Sequence, residues 1–130
     1  MAKNVCLIVT QLLTTDSGAR DGFTRAVELA LEAVALNKQT VLYLDKGWNW
    51  CGKVGGLEMM LGKQAAREYE VKFRSFLNAG GQIWLSRSGF DRQVFGSVIP
   101  DPTPLVEGVI VVDDKTLLTF LTQDTAVLTF

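Results

Sequence analysis

The chain has 130 residues, with 48 % apolar side chains and a formal net charge of −1. That is the length of one ordinary domain, with an expected radius of gyration of roughly 14 Å. Near-neutral charge removes any global pull toward nucleic acid or anionic membrane, and no basic stripe or base-stacking aromatic set appears. The absence of histidine excludes histidine as general base or metal ligand, and with it Ser-His-Asp and Cys-His catalysis.

In chain order, the first element is the apolar run Val5-Cys6-Leu7-Ile8-Val9. It is rich in β-branched residues and reads as a strand buried on both faces, as in parallel sheets. It is too short for a signal peptide or a membrane span, and the chain reads as cytoplasmic. Phe23, Ala26, Val27, Ala30 and Val34 recur at helical spacing and define one apolar face. Asp21 is the expected N-cap of that helix and Asn37 its expected close. Thr40-Val41-Leu42-Tyr43-Leu44 is the second strand. Ala66, Tyr69, Phe73 and Phe76 mark a helix from about Lys63 to Asn78, stopped by Gly80-Gly81.

Ile83-Trp84-Leu85 and Val109-Ile110-Val111-Val112 follow as strands. Pro100-Asp101-Pro102-Thr103-Pro104 between them reads as a rigid surface loop. Leu117, Leu118 and Leu121 predict a short helix with Asp113 or Asp114 at its start. Ala126-Val127-Leu128-Thr129-Phe130 is the last strand. The alternation predicts an α/β fold: an open, mostly parallel five-stranded sheet with helices on both faces, forming a single domain over residues 1–130.

In such sheets ligands gather beyond the carboxyl ends of the strands. Three segments fall there: Thr10 to Asp21, Asp45 to Gly62 and Ser86 to Gly96. The middle one contains Lys46-Gly47-Trp48-Asn49-Trp50-Cys51-Gly52-Lys53-Val54-Gly55-Gly56. It is not a phosphate loop, because Gly62-Lys63 is followed by Gln64 where a Walker A loop has a hydroxyl. No GxGxxG follows a strand. Asp45, Asp113 and Asp114 do not make a receiver-type metal pocket, since Thr10-Gln11 stands where its acidic pair is needed. No metal site or cofactor is expected.

The two cysteines, Cys6 and Cys51, have neither CxxC nor zinc spacing, and such sparse use suits a reducing compartment. Cys6, inside a strand, reads as a small hydrophobe. Cys51 stands in the glycine-rich loop beside Lys46 and Lys53, where cations would favour its thiolate. It is the candidate reactive thiol, or else an incidental cysteine packed between tryptophans. Trp48 and Trp50 are candidates for a ligand wall, an interface anchor or core. Gln11 joins them at the same sheet edge. Ser86, Arg87 and Ser88, with Arg92 further on, could grip a carboxylate or phosphate. The plainer reading of that junction is an ordinary helix cap.

Four features together resemble the DsrE/DsrF-like sulfur-relay family, which includes TusD-type subunits. They are the opening strand and helix from Val5 to Asn37, and the strand Val41 to Leu44 running into a glycine-containing loop. The others are the segment Asn78-Ala79-Gly80-Gly81-Gln82-Ile83-Trp84-Leu85 and the ending Asp124-Thr125-Ala126-Val127-Leu128-Thr129-Phe130. The resemblance implies a Rossmann-like sheet and an oligomer, a trimer or hexamer of one chain or of related subunits. It also implies sulfur donor and acceptor proteins as partners. Members with a working site carry a persulfide-accepting cysteine just after the third strand. Here Ser86 stands at or within two residues of that place, and Leu85 to Arg92 holds no cysteine. Two expectations follow. One is a divergent, oligomeric binding or accessory subunit linked to sulfur metabolism; the other is a sulfur carrier whose thiol has moved to Cys51.

Overall fold

The first apolar run becomes an interior strand of a parallel sheet, with a neighbour on each side and no exposed side chain along it. The structure, a computed structural model, describes residues 2–11, 17–88 and 104–130. The strands are β1 (Asn4–Val9), β2 (Gln39–Leu44), β3 (Gln82–Ser86), β4 (Val109–Val112) and β5 (Thr125–Thr129). They lie in the order β4-β3-β2-β1-β5 and all neighbouring pairs are parallel. The predicted α/β architecture and each of its five strands are therefore present, with ends displaced by a residue or so.

The helices are α1 (Ser17–Ala35), α2 (Gly56–Leu61), α3 (Lys63–Asn78) and α4 (Asp114–Leu121). α1 and α3 cover one face of the sheet. There Leu7, Val9, Leu42, Leu44, Ile83 and Leu85 meet Phe23, Val27, Ala66, Phe73 and Phe76 in a single buried cluster. The other face carries a smaller cluster in which Cys6, Val41, Tyr43, Trp84 and Val112 pack under Phe120 of α4. Alternation along each strand sends neighbouring side chains to opposite faces. Both sets are apolar, so these segments read as continuous hydrophobic runs.

Three local expectations need correction or extension. Asp21 does not cap α1, which starts a turn earlier at Ser17 and leaves Asp21 exposed inside the helix. The apolar periodicity begins only at Phe23. The segment after β2, expected to be an open loop, instead forms a 3-10 turn (Trp48–Gly52) followed by α2. Within the expected proline loop, Pro104 accepts a hydrogen bond from the Val54 amide at 2.9 Å; residues 100–103 lie outside the described residues.

Other signals hold. Asn37 takes a left-handed φ of 60°, and the Asn37 and Lys38 amides donate to the Val34 and Ala33 carbonyls, closing α1 as a Schellman-type cap. Asp113 caps α4 by accepting from the Thr116 amide. Phe23 joins three aromatic rings of the larger core. Its ring lies 4.6 Å from Trp48, 5.2 Å from Tyr69 and 6.2 Å from Phe73, centroid to centroid. Phe23→Ala should lower unfolding free energy by about 4 kcal/mol, measured by denaturant titration, with a loss of near-UV tryptophan ellipticity from Trp48.

Candidate functional site

The chain leaves β2 through Asp45, Lys46 (φ 52°) and Gly47 (φ 100°). Two successive left-handed residues turn it sharply down into the core, and a glycine at the second makes that turn inexpensive. The 3-10 turn then delivers Trp48 onto Phe23 in a parallel stack, with 9° between the ring planes. Its indole Nε1 donates to the Gln11 carbonyl at 3.1 Å. Trp48 is fully buried, so it is a core anchor rather than a ligand wall. Gln11 is exposed, and what it gives to Trp48 is its backbone. The Thr10 and Gln11 amides both donate to the Phe130 carbonyl at 2.9 Å, which ties the exit of β1 to the end of β5.

Asn49 holds the next connection, and nothing in the residue pattern had marked it. Fully buried, it donates from Nδ2 to the Ser86 carbonyl at 2.6 Å and accepts at Oδ1 from the Gly47 amide at 3.3 Å. It therefore fastens the β2 loop to the end of β3. The signal available in the sequence was an asparagine flanked by two tryptophans, a polar residue that must be satisfied if its neighbours are buried.

Cys51 follows, also fully buried, and belongs to the α1/α3-side core. Burial pushes its thiol from an ordinary 9.0 up to about 12. Cys6, on the opposite face, is pushed to about 12 by the same desolvation. The expectation that Lys46 and Lys53 would favour a thiolate at Cys51 is not met. The 3-10 turn points the sulfur inward, where removal from water dominates. Of the alternatives raised for Cys51, this geometry matches packing beside tryptophan. Gly52 and Gly56 have packing reasons of their own. A Cβ on Gly52 would lie 2.4 Å from a Leu85 methyl, and one on Gly56 would overlap the Trp50 carbonyl oxygen. Trp50 is half-buried.

The end of β3 places Ser86 on the α4 side of the sheet. Its hydroxyl, buried, shares hydrogen bonds with Ser88 Oγ at 2.9 Å and with the Tyr43 phenol. Burial raises the Tyr43 phenol above its ordinary value, and the bond to Ser86 offsets part of that rise. Arg87 and Ser88 are exposed. The Arg87 amide donates to the Val112 carbonyl at 3.1 Å. Hydrogen bonds from Thr116 hold the Asp113 carboxyl below its usual range, with the Arg87 charge adding to the effect. Arg92 lies outside the described residues.

The structure thus brings the sequence-predicted residues together in two groups. Gln11 and Trp48 meet on the α1 side; Ser86, Ser88 and Tyr43 meet on the α4 side, with Asn49 bridging to the Ser86 backbone. Cys51 joins neither polar group. Beside α4 an open cleft of about 350 Å³ is lined by Trp84, Phe120, Thr116, Thr119 and Gln123, with Asp113 and Lys115 at its rim. Among the described residues no cluster of acidic or cysteine side chains could hold a metal ion, and no helix is long and apolar enough to cross a membrane.

Two consequences are measurable. Asn49→Ala removes the side-chain hydrogen bonds to the Ser86 carbonyl and from the Gly47 amide at a buried site, and should cost about 2–4 kcal/mol in denaturant titrations. The thiols impose a pH dependence. Between pH 9 and about 12 the native state keeps protons that the unfolded chain releases. Stability from this source is complete below pH 9 and falls as pH rises through that window, by about 1 kcal/mol per thiol per pH unit. Comparing wild type with Cys51→Ala at pH 8 and pH 10 isolates the Cys51 share: the stability gap between the two proteins should narrow at the higher pH.

No protein-family model matches the chain, and no curated protein matches it. Among solved structures, the YchN protein from E. coli superposes with a TM-score of 0.64 at 15 % identity, over 98 % of this chain and 99 % of that one. At that identity the likeness concerns the fold: this chain shares the five-stranded parallel α/β architecture of YchN over essentially its whole length.

Proposed function

We propose that this protein is a divergent DsrE/DsrF-like subunit that binds or assembles in sulfur metabolism without itself carrying sulfur on a cysteine. The observation that supports this most is the placement of sulfur. The chain has two cysteines; both are fully buried, and burial pushes each thiol to about 12. A persulfide carrier needs a thiolate that a donor can reach. Where the family's cysteine is expected, Ser86 offers a hydroxyl already hydrogen-bonded to Ser88 and Tyr43. A serine hydroxyl is not ionised near neutral pH and forms no persulfide. The whole-length fold likeness to YchN agrees with the resemblance carried by the strand and terminal segments.

In this reading the protein works by its surface. The exposed members of the candidate set, Gln11, Arg87 and Ser88, are those a small ligand would meet at the carboxyl edge. Assembly with further copies, or with related subunits, is part of the proposal. So is a cytoplasmic setting, which keeps the two thiols reduced.

The test is to incubate reduced protein with polysulfide and record intact mass, beside Cys51→Ser and Cys6→Ser. The expected result is no addition of sulfur atoms to the native protein, and thiol labelling only after unfolding. A sulfur adduct on the native protein that vanishes in Cys51→Ser alone would overturn this reading and establish Cys51 as a carrier thiol.

A further inference from the structure

β5 is an outer strand of the sheet, bounded by β1 on one side. Its ladder is set by the Asn4 amide on the Asp124 carbonyl, the Phe130 amide on the Ile8 carbonyl and the Thr10 amide on the Phe130 carbonyl. With Cys6 opposite Val127, the even-numbered residues turn both backbone polar groups toward β1. Thr125, Val127 and Thr129 therefore turn theirs outward. Among the described residues no strand accepts them.

The edge lacks the usual guards. Proteins protect open edges with charge, proline or bulges, yet Thr125 to Phe130 contains no charged residue and no proline, and its register with β1 runs unbroken. Both faces of the strand are also uncovered: Val127 is 43 % exposed on the α4 side and Leu128 45 % exposed on the α1 side. Leu118 is 59 % exposed. It lies on the flank of α4 opposite Thr116 and Thr119, which line the cleft over Trp84.

We propose that β5 pairs antiparallel with β5 of a second copy about a twofold axis through Val127, joining two sheets into one. The sequence Thr-Ala-Val-Leu-Thr is matched to its own reverse. Val127 meets Val127, Thr125 meets Thr129, and Ala126 meets Leu128, small against large. The hydrogen-bond phase agrees, since the residues with outward N–H and C=O groups are the three that this register pairs with one another. A twofold interface brings a residue on its axis against itself, so a charge there would repel; the residue on the axis is Val127. A five-residue edge is about 17 Å long and supplies only part of the roughly 800 Å² per partner that a stable interface buries. The exposed side chains of Val127 and Leu128, on its two faces, add apolar area. This inference names the surface for the assembly part of the function proposed above.

Light scattering and sedimentation should find the wild type as a dimer or a multiple of one. Val127→Lys should raise the dissociation constant at this contact at least tenfold, and Val71→Lys, exposed on α3, should leave it unchanged. The register has its own test, which also serves if Val127→Lys folds poorly. Ala126 and Leu128 of opposite copies form a non-hydrogen-bonded pair with Cα atoms about 4.5 Å apart, within disulfide range. The double variant Ala126→Cys/Leu128→Cys should cross-link into dimers on mild oxidation, while either single variant should not. A wild type that is monomeric at all concentrations would overturn both this contact and assembly. An oligomer indifferent to Val127→Lys, with no cross-link in the double variant, would overturn the β5 contact alone and leave assembly through another surface.

Discussion

The stack of Trp48 on Phe23 is the constraint on which the rest of the carboxyl edge depends. A tryptophan indole buries a large apolar area only if its N–H finds an acceptor, and here the acceptor is the carbonyl of Gln11. One side chain therefore joins three elements: α1 through the ring of Phe23, the exit of β1 through Gln11, and the turn after β2 that carries Trp48 itself. Once the indole is seated, the direction of the following residues is determined. Asn49 meets the end of β3, Cys51 enters the core, and Gly56 must approach the Trp50 carbonyl too closely to bear a side chain. A loop that looks like a ligand cradle by its glycines is a packed plug.

That plug has chemical consequences. Polar groups at the strand ends are largely committed to one another: Asn49 to Ser86 and Gly47, Ser86 to Ser88 and Tyr43. Each commitment satisfies a group that would otherwise be costly in a desolvated setting. The same arrangement withdraws nucleophilic character from the edge. Burial raises both thiols to about 12, and the Ser86 hydroxyl shares a hydrogen bond with Ser88 in a chain without histidine. The raised Cys51 thiol and the internal pairing of Asn49 and Ser86 have a single cause, removal of these groups from water.

The fold was legible because its signals are local and redundant. Val5 to Val9, Thr40 to Leu44 and Val109 to Val112 are apolar on consecutive positions, a pattern that two-sided burial in a parallel sheet explains. α3 runs from Lys63 to Asn78 as the Ala66, Tyr69, Phe73 and Phe76 spacing predicts. The start of α1 was misread because its first turn has no apolar periodicity to announce it. The candidate site was less legible, since its geometry depends on long-range contacts. The roles of Gln11 and Trp48 join residues 37 positions apart through one backbone acceptor. Asn49 and Ser86 are equally distant. Cys51 illustrates the limit most plainly. Its sequence neighbours are lysines and glycines, which suggest an exposed and activated thiol. Its spatial surroundings are apolar, because a 3-10 turn rotates successive residues by a third of a turn and sends this one inward.

The two faces of the sheet are unequally dressed, and that asymmetry bears on how such a protein acts. α1 and α3, of 19 and 16 residues, cover the face that holds the larger core. The opposite face relies on α4, eight residues long, whose contacts are centred on Cys6, Val41, Tyr43 and Trp84. An eight-residue helix spans about 12 Å, less than the width of five strands at about 4.8 Å spacing. Apolar side chains of that face consequently stay in water at both margins of the sheet: Ile110 on β4 and Val127 on β5. Isolated exposed hydrophobes need no explanation, but these stand on outer strands whose backbone groups have no neighbour among the described residues. In the assembly proposed above, pairing of β5 with a second copy would extend the sheet that the described residues leave open at that strand, while the carboxyl edge is held by the bonds of Trp48 and Asn49.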